Sequence, residues 1–257
     1  MIHLAYACQM LRIPPGSVRE HLVAIFPEPG RPRMFGFIGY ENDTSMFGVA
    51  AMAGLQPPGE HADMVDFAAD FAPPHVLDAI RAAEPLGEVA HFRIPSNRWR
   101  RYDKMRRVPD GLLVLGDAIC SFNPIYGQGM TVAALESTAL RDCLRAGDRA
   151  LPARFVQASA KIVRVAWQTA VGSDLALPEV EGARPPSVRV TNAYLQRVLT
   201  AAEDDLVVAQ RFIRVIGMVD SPASLMHPAI VTRVAATPLR RRRASTRTQR
   251  KPSETVS

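Results

Sequence analysis

Residues 116–130 read Gly-Asp-Ala-Ile-Cys-Ser-Phe-Asn-Pro-Ile-Tyr-Gly-Gln-Gly-Met, between the apolar run Gly-Leu-Leu-Val-Leu-Gly and a long helix-forming segment. A carboxylate at the carboxyl end of a buried strand stands at the edge of the crevice where α/β sheets take their ligands. There Asp117 can accept hydrogen bonds from ligand hydroxyls. Asn123-Pro124 imposes a turn, because proline drives its predecessor out of helical geometry. Gly127 and Gly129 lack Cβ, so a bulky ligand can approach the backbone. The amides of Gln128, Gly129 and Met130 fall at a helix start, where free N–H groups and the dipole suit an anionic or electron-rich group. The stretch is suited to a ligand that joins a polyol to anionic or electron-accepting chemistry.

The elements around it are legible from pattern. The run 111–116 is continuously apolar, as in a strand buried on both faces. The segment 127–147 predicts a helix closed by Gly147. Upstream, 33–41 and 44–54 are rich in aromatic and β-branched residues around Asn42-Asp43, which predicts a hairpin. Residues 61–72 and 73–84 carry apolar residues at helical spacing, and 87–104 reads as extended. Further amphipathic helices are expected over 153–171, 188–203 and 204–218, with a proline-rich connector after the first. The fold expected is α+β or α/β. It has a β-rich segment with two short helices over 1–107, the glycine-rich strand–turn–helix over 108–150 and a helical region over 151–236.

Composition narrows the partners. The last 21 of the 257 residues hold seven basic residues and one acid, leaving 24 basic and 24 acidic residues elsewhere. The net charge of +6 therefore belongs to a Ser/Thr/Arg-rich tail over 237–257, expected to be disordered, and no specific nucleic-acid motif accompanies it. No run of about 18 apolar residues predicts a transmembrane segment. Three widely spaced cysteines, Cys8, Cys120 and Cys143, offer neither metal-ligand spacing nor a disulfide framework, which fits the cytoplasm. No metal site is expected.

The stretch 111–137, GLLVLGDAICSFNPIYGQGMTVAALES, closely resembles the second flavin-binding motif of the FAD-dependent aromatic-hydroxylase-like monooxygenases. That group includes para-hydroxybenzoate hydroxylase and squalene-epoxidase-like and flavin-halogenase-like enzymes. The region 91–186, from HFRIPSNRWRRYDK through WQTAVGSDLALPEVEGARPP, resembles a bacterial subgroup of FAD-dependent oxidoreductases, so the likeness spans most of 1–236. The resemblance implies a partial FAD-binding domain of the aromatic-hydroxylase type, with a mainly β substrate layer and C-terminal helices.

By this resemblance Asp117 would meet the ribityl hydroxyls and Gly116 would allow close approach, while Pro124, Gly127, Gln128, Gly129 and Met130 would line the flavin. FAD is the implied cofactor and NADH or NADPH the reductant. A hydrophobic or aromatic small molecule and molecular oxygen are the implied substrates. No catalytic acid or base is identified. Tyr126 and His91 are the substrate-contact candidates, with Arg93, Arg98, Trp99 and Tyr102 beside them in the substrate layer. Packing is an equal reading for Tyr126, and for His91 a surface or satisfied histidine is the commoner one.

Such enzymes also carry a βαβ unit with a G-x-G-x-x-G loop. The early glycines, from Gly16 to Gly59, never take that spacing. The expectation is that the unit lies on a separate chain or is missing, leaving 112–115 as an unpaired edge and the chain as an alternative, non-catalytic remnant unable to hold FAD alone.

Overall fold

The computed structural model describes residues 1–237; the arginine run at 240–243 and the rest of the basic tail lie outside them. A six-stranded antiparallel sheet is the first layer. Its strands are β1 (Leu4–Arg12), β2 (Leu22–Ile25), β3 (Arg33–Gly39), β4 (Thr44–Ala51), β5 (Glu84–Pro85) and β6 (Ala90–Ile94). The order is β2-β3-β4-β1-β5, with β6 also pairing β1. The expected hairpin is β3–β4, and Asn42 and Asp43 take φ of 60° and 55°, the left-handed pair that matches strand twist in a two-residue turn.

Alternation along the strands separates two faces. One carries Ala7, Leu11, Phe35, Phe37, Phe47 and Val49, all buried under the short helices α1 (His61–Phe67) and α2 (Pro74–Arg81). Each fully buried phenylalanine contributes about 1.5–3 kcal/mol. Met64, Val65, Val76, Leu77 and Ile80 answer from the helices at the spacing read in the sequence. The other face stays half open.

A two-stranded ladder, β7 (Arg98–Trp99) with β8 (Cys120–Ser121), ties the sheet layer to the glycine-rich turn. Helices α3 (Gly129–Arg145) and α4 (Leu151–Asp174) follow and pack together over Ile119, Phe122, Val132, Phe155 and Val163. Helices α5 (Pro186–Ala202) and α6 (Leu206–Ile216), with a last helix at 228–237, form a further cluster around Val198, Val208 and Ile230. No helix of the described residues is long and apolar enough to cross a membrane.

One expectation is corrected. Residues 112–115 are not a strand buried on both faces: they pair with no strand among the described residues, and Leu112 is 49% and Leu115 39% exposed. Burial on both faces needs neighbouring strands and two covering layers. Here one side alone is covered, through Val114 against the α3–α4 cluster.

Candidate functional site

The glycine-rich turn is held from below by two buried carboxylates. Gly116 and Asp117 begin a 3-10 turn, Gly116–Ala118, in which Gly116 has φ of 61°, a conformation an L side chain adopts at a cost of about 1–2 kcal/mol. Its amide donates to Glu136 Oε2 at 2.7 Å, and Ser159 Oγ donates to Glu136 Oε1 at 2.5 Å. Glu136 is fully buried, so α3 reaches back over one side of the Gly-Asp turn while α4 closes it from beneath. On the outside, the Arg100 guanidinium donates to the Ala118 carbonyl at 3.3 Å.

The second carboxylate is Asp174, the last residue of α4, 1% exposed. It accepts from Asn97 Nδ2 at 2.7 Å, from Asn123 Nδ2 at 2.7 Å and from the Tyr126 hydroxyl at 3.0 Å. Burial raises its pKa, and the hydrogen bonds from Asn97, Asn123 and Tyr126 work against that rise. Burial and the Asp174 charge together hold the Tyr126 hydroxyl far above the ordinary tyrosine range. Asn123 caps the 3-10 turn Pro124–Tyr126 by accepting from the Ile125 amide at 3.2 Å.

Above these anchors the turn is open. Gly127 has φ of 68°, and a Cβ placed there would meet no atom within 4 Å. A Cβ on Gly129 would meet Asp117 Oδ1 at 3.9 Å, and Asp117 is exposed. No side chain caps the first turn of α3, and Met130 is 86% exposed. An exposed carboxylate, a glycine cradle and an uncapped helix start thus converge, setting a hydrogen-bond acceptor beside free backbone donors. Among the described residues no His/Cys/Asp/Glu group could hold a metal.

The predicted residues do not all fall in one place. Gly116, Asp117, Gly127, Gly129 and Met130 gather at the open turn, and Pro124 starts its 3-10 segment. Gln128 is turned inward: 1% exposed, it donates to the Ile216 carbonyl at the end of α6 at 3.0 Å, and its Oε1 has no partner. Tyr126 lies beneath the turn, its ring 6.0 Å from that of Phe26, in its packing rather than its contact reading. His91 is not brought to the turn. Its register opposite Ala7 puts it on the helix-covered sheet face, beside Gly59. Trp99 packs on Trp167 and under the Arg101 guanidinium, and Tyr102 joins the same cluster.

The other sheet face, the one His91 does not share, is lined by small and apolar residues. Register aligns Ala24, Gly36, Gly48, Cys8 and Ala90 in one row across five strands. Leu22, Ile38, Met46 and Met10 flank it on one side, and Met34, Ala50, Tyr6 and Phe92 on the other. Tyr6 and Phe92 stack with ring centroids 4.8 Å apart. At one end this face is covered: Ala50, 4% exposed, is buried in a cluster with Leu4, Met52, Leu177 and Val180, and Tyr6, Met34 and Ile125 of the glycine-rich turn pack against that cluster, so turn and face adjoin. Glu136, Asp174 and this face were not read from the sequence. The only available signals were a lone glutamate in the helical pattern and strand alternation whose partner was unknown.

No family model matches the chain. It is 32% identical to Protein Rv3254 of Mycobacterium tuberculosis (strain ATCC 25618 / H37Rv) over 259 residues, which is 99% of this chain and 55% of that protein. The chain thus spans about half the length of the curated relative it matches. Among solved structures it is similar to a flavoprotein/dehydrogenase of Cytophaga hutchinsonii, with a TM-score of 0.59 at 13% identity over 92% of this chain and 55% of that one. It is also similar to Pseudomonas aeruginosa PqsL, named "a probable FAD-dependent monooxygenase", with a TM-score of 0.51 at 22% identity over 67% and 48%. Over the part of those flavoproteins that it covers, the chain shares their mixed α/β fold, with an antiparallel sheet and C-terminal helices.

Proposed function

We propose that the chain serves in an FAD-dependent oxidoreductase, a monooxygenase that hydroxylates or epoxidises a hydrophobic or aromatic small molecule with NADH or NADPH as reductant and molecular oxygen. The observation that carries this reading is the open turn at which the exposed Asp117 carboxylate stands 3.9 Å from the Cβ position of Gly129, beside unfilled space at Gly127. A bound flavin supplies the redox chemistry. This chain's residues bind and orient. Asp117 accepts from ribityl hydroxyls. Gly116, Gly127 and Gly129 permit close approach. Pro124 shapes the turn, Gln128 and Met130 contribute their backbone at the start of α3, and the uncapped amides there favour electron density on the ring edge.

The half-open sheet face offers the substrate an apolar seat. Its three rows present no charged side chain, which favours a neutral, flat or extended apolar molecule. The segment 112–115, which pairs with no strand among the described residues, favours a second element in the reading: a βαβ unit with a G-x-G-x-x-G loop, on this polypeptide or another, that pairs with it and completes the hold on FAD. Without that unit the chain is non-catalytic.

The test is a fluorescence-quench titration of FAD and riboflavin into purified wild-type protein and Asp117→Ala. Saturable binding that weakens at least tenfold in Asp117→Ala supports the reading. Binding that ignores Asp117→Ala, or no binding of either flavin, overturns it.

A further inference from the structure

We propose that Asp174 is the positioning residue of the glycine-rich turn, its buried carboxylate joining Asn97, Asn123 and Tyr126 so as to fix the turn against the substrate-bearing sheet. The part of this inference that concerns ligand affinity rests on the flavin reading above; the part that concerns the turn does not.

Three chain segments meet at this one side chain. Asn97 lies in the connector between β6 and β7, 77 residues away in sequence, and Asn123 and Tyr126 bracket the proline turn, 51 and 48 residues away. The contacts close into a ring. Asn97 Nδ2 donates to Asp174 Oδ2, while Asn97 Oδ1 accepts from the Asn123 backbone amide at 2.7 Å. Asn123 Nδ2 returns to Asp174 Oδ1, and Asn123 Oδ1 accepts from the Ile125 amide. Tyr126, closing the 3-10 segment, donates to the same Oδ1. Among the described residues no arginine or lysine forms an ion pair with Asp174, so these neutral donors are its side-chain partners.

Every partner is a donor, and only a carboxylate accepts on both oxygens. An asparagine at 174 cannot satisfy the ring. One orientation sets its NH2 against Asn97 Nδ2; the other sets it against Asn123 Nδ2 and the Tyr126 hydroxyl. Flipping Asn97 does not help, because its NH2 would then face the Asn123 amide. Exchanging the two residues does. In Asn97→Asp with Asp174→Asn, the carboxylate at 97 accepts from the Asn123 amide and from the new NH2 at 174. The oxygen at 174 still accepts from Asn123 Nδ2 and Tyr126. The charge moves by one side chain, and every donor keeps an acceptor.

The experiment uses the full chain in four forms: wild type, Asp174→Asn, the Asn97→Asp/Asp174→Asn exchange, and Tyr126→Phe. Tyr126→Phe removes one donor and keeps the ring that packs near Phe26. Hydrogen exchange of the Ile125 and Gly127 amides is read without ligand, and riboflavin affinity by fluorescence quench. The expected result is at least tenfold faster exchange at both amides and at least tenfold weaker riboflavin binding in Asp174→Asn. The exchange variant should return to within about threefold of wild type, and Tyr126→Phe should fall between. If Asp174→Asn does not fold, the exchange variant and Tyr126→Phe still decide the matter. Wild-type-like exchange at Ile125 and Gly127 in Asp174→Asn, or an exchange variant no better protected than Asp174→Asn, or an unchanged Tyr126→Phe, overturns the proposal. Wild-type protein that binds no riboflavin overturns the flavin reading alone, because amide protection still reports on the turn.

Discussion

Gly129→Ala should raise stability and lower ligand affinity together, a combination that simple damage to the fold does not produce. Gly129 is the first residue of α3 and has no positive φ. Alanine is the better helix former by up to about 1 kcal/mol, and less at a helix end than in the interior. The nearest atom to the new Cβ is Asp117 Oδ1 at 3.9 Å, an ordinary contact, so no clash offsets the gain. For a chain of this size about 1 kcal/mol corresponds to roughly 2–4 °C in Tm. The methyl group would also stand between the Asp117 carboxylate and the helix start, in the space that a ligand held by Asp117 must share. Thermal unfolding should therefore show a Tm unchanged or up by a few degrees, and riboflavin titration a Kd raised at least tenfold. A Gly129→Ala protein that is as stable as wild type and binds flavin equally well would refute the idea that this gap is the ligand's. A large fall in Tm would refute the account of the turn's packing.

Glu136→Ala should cost about 1–3 kcal/mol, read in urea unfolding, because the Gly116 amide and Ser159 hydroxyl lose a buried acceptor. Glu136→Gln should cost clearly less, since the amide oxygen can still serve Gly116 and the Ser159 hydroxyl can turn to accept. Burial, with the Glu136 and Asp117 charges behind it, pushes the Cys120 thiol up to about 12, so iodoacetamide at pH 8 should modify Cys143 well before Cys120, as peptide mass mapping would show. Arg101, Arg214 and Arg33 hold Asp103, Asp220 and Asp70 below the ordinary carboxylate range. The stability these pairs contribute is present above about pH 4 and lost as pH falls through the depressed values, so the fall in urea midpoint on replacing Asp103, Asp220 or Asp70 by Asn should be constant from pH 7 to 5 and shrink below about 4. Gly36→Val adds bulk to the open sheet face where the nearest atom is 3.9 Å from the new Cβ; it should leave Tm within a few degrees and cut turnover of, or affinity for, any apolar substrate found.

The sequence was most readable where local chemistry decides structure. Asn42-Asp43 can enter the left-handed region cheaply, so the β3–β4 hairpin followed. The 3.6-residue spacing of Val76, Leu77 and Ile80 marked α2, and Asn123-Pro124 with Gly127 marked the turn. Readings that needed a distant partner fared differently. Glu136 and Asp174 reach the turn only because α3 and α4 pack as they do, and a lone acid in a helical pattern carries no sign of that. The side to which His91 points depends on register with β1, and a slip of one residue would put it on the open face. The run 112–115 has the composition of a doubly buried strand, yet composition does not supply the neighbours that bury it.

The central claim is that the open turn from Asp117 to Met130 receives a flavin's polyol and ring. It is tested most directly by amide-resolved NMR of the labelled chain during riboflavin titration. The account predicts saturable shifts concentrated at Gly116, Asp117 and 127–130, with the α1–α2 face of the sheet unmoved. Shifts centred elsewhere, or none at saturating riboflavin, would contradict it.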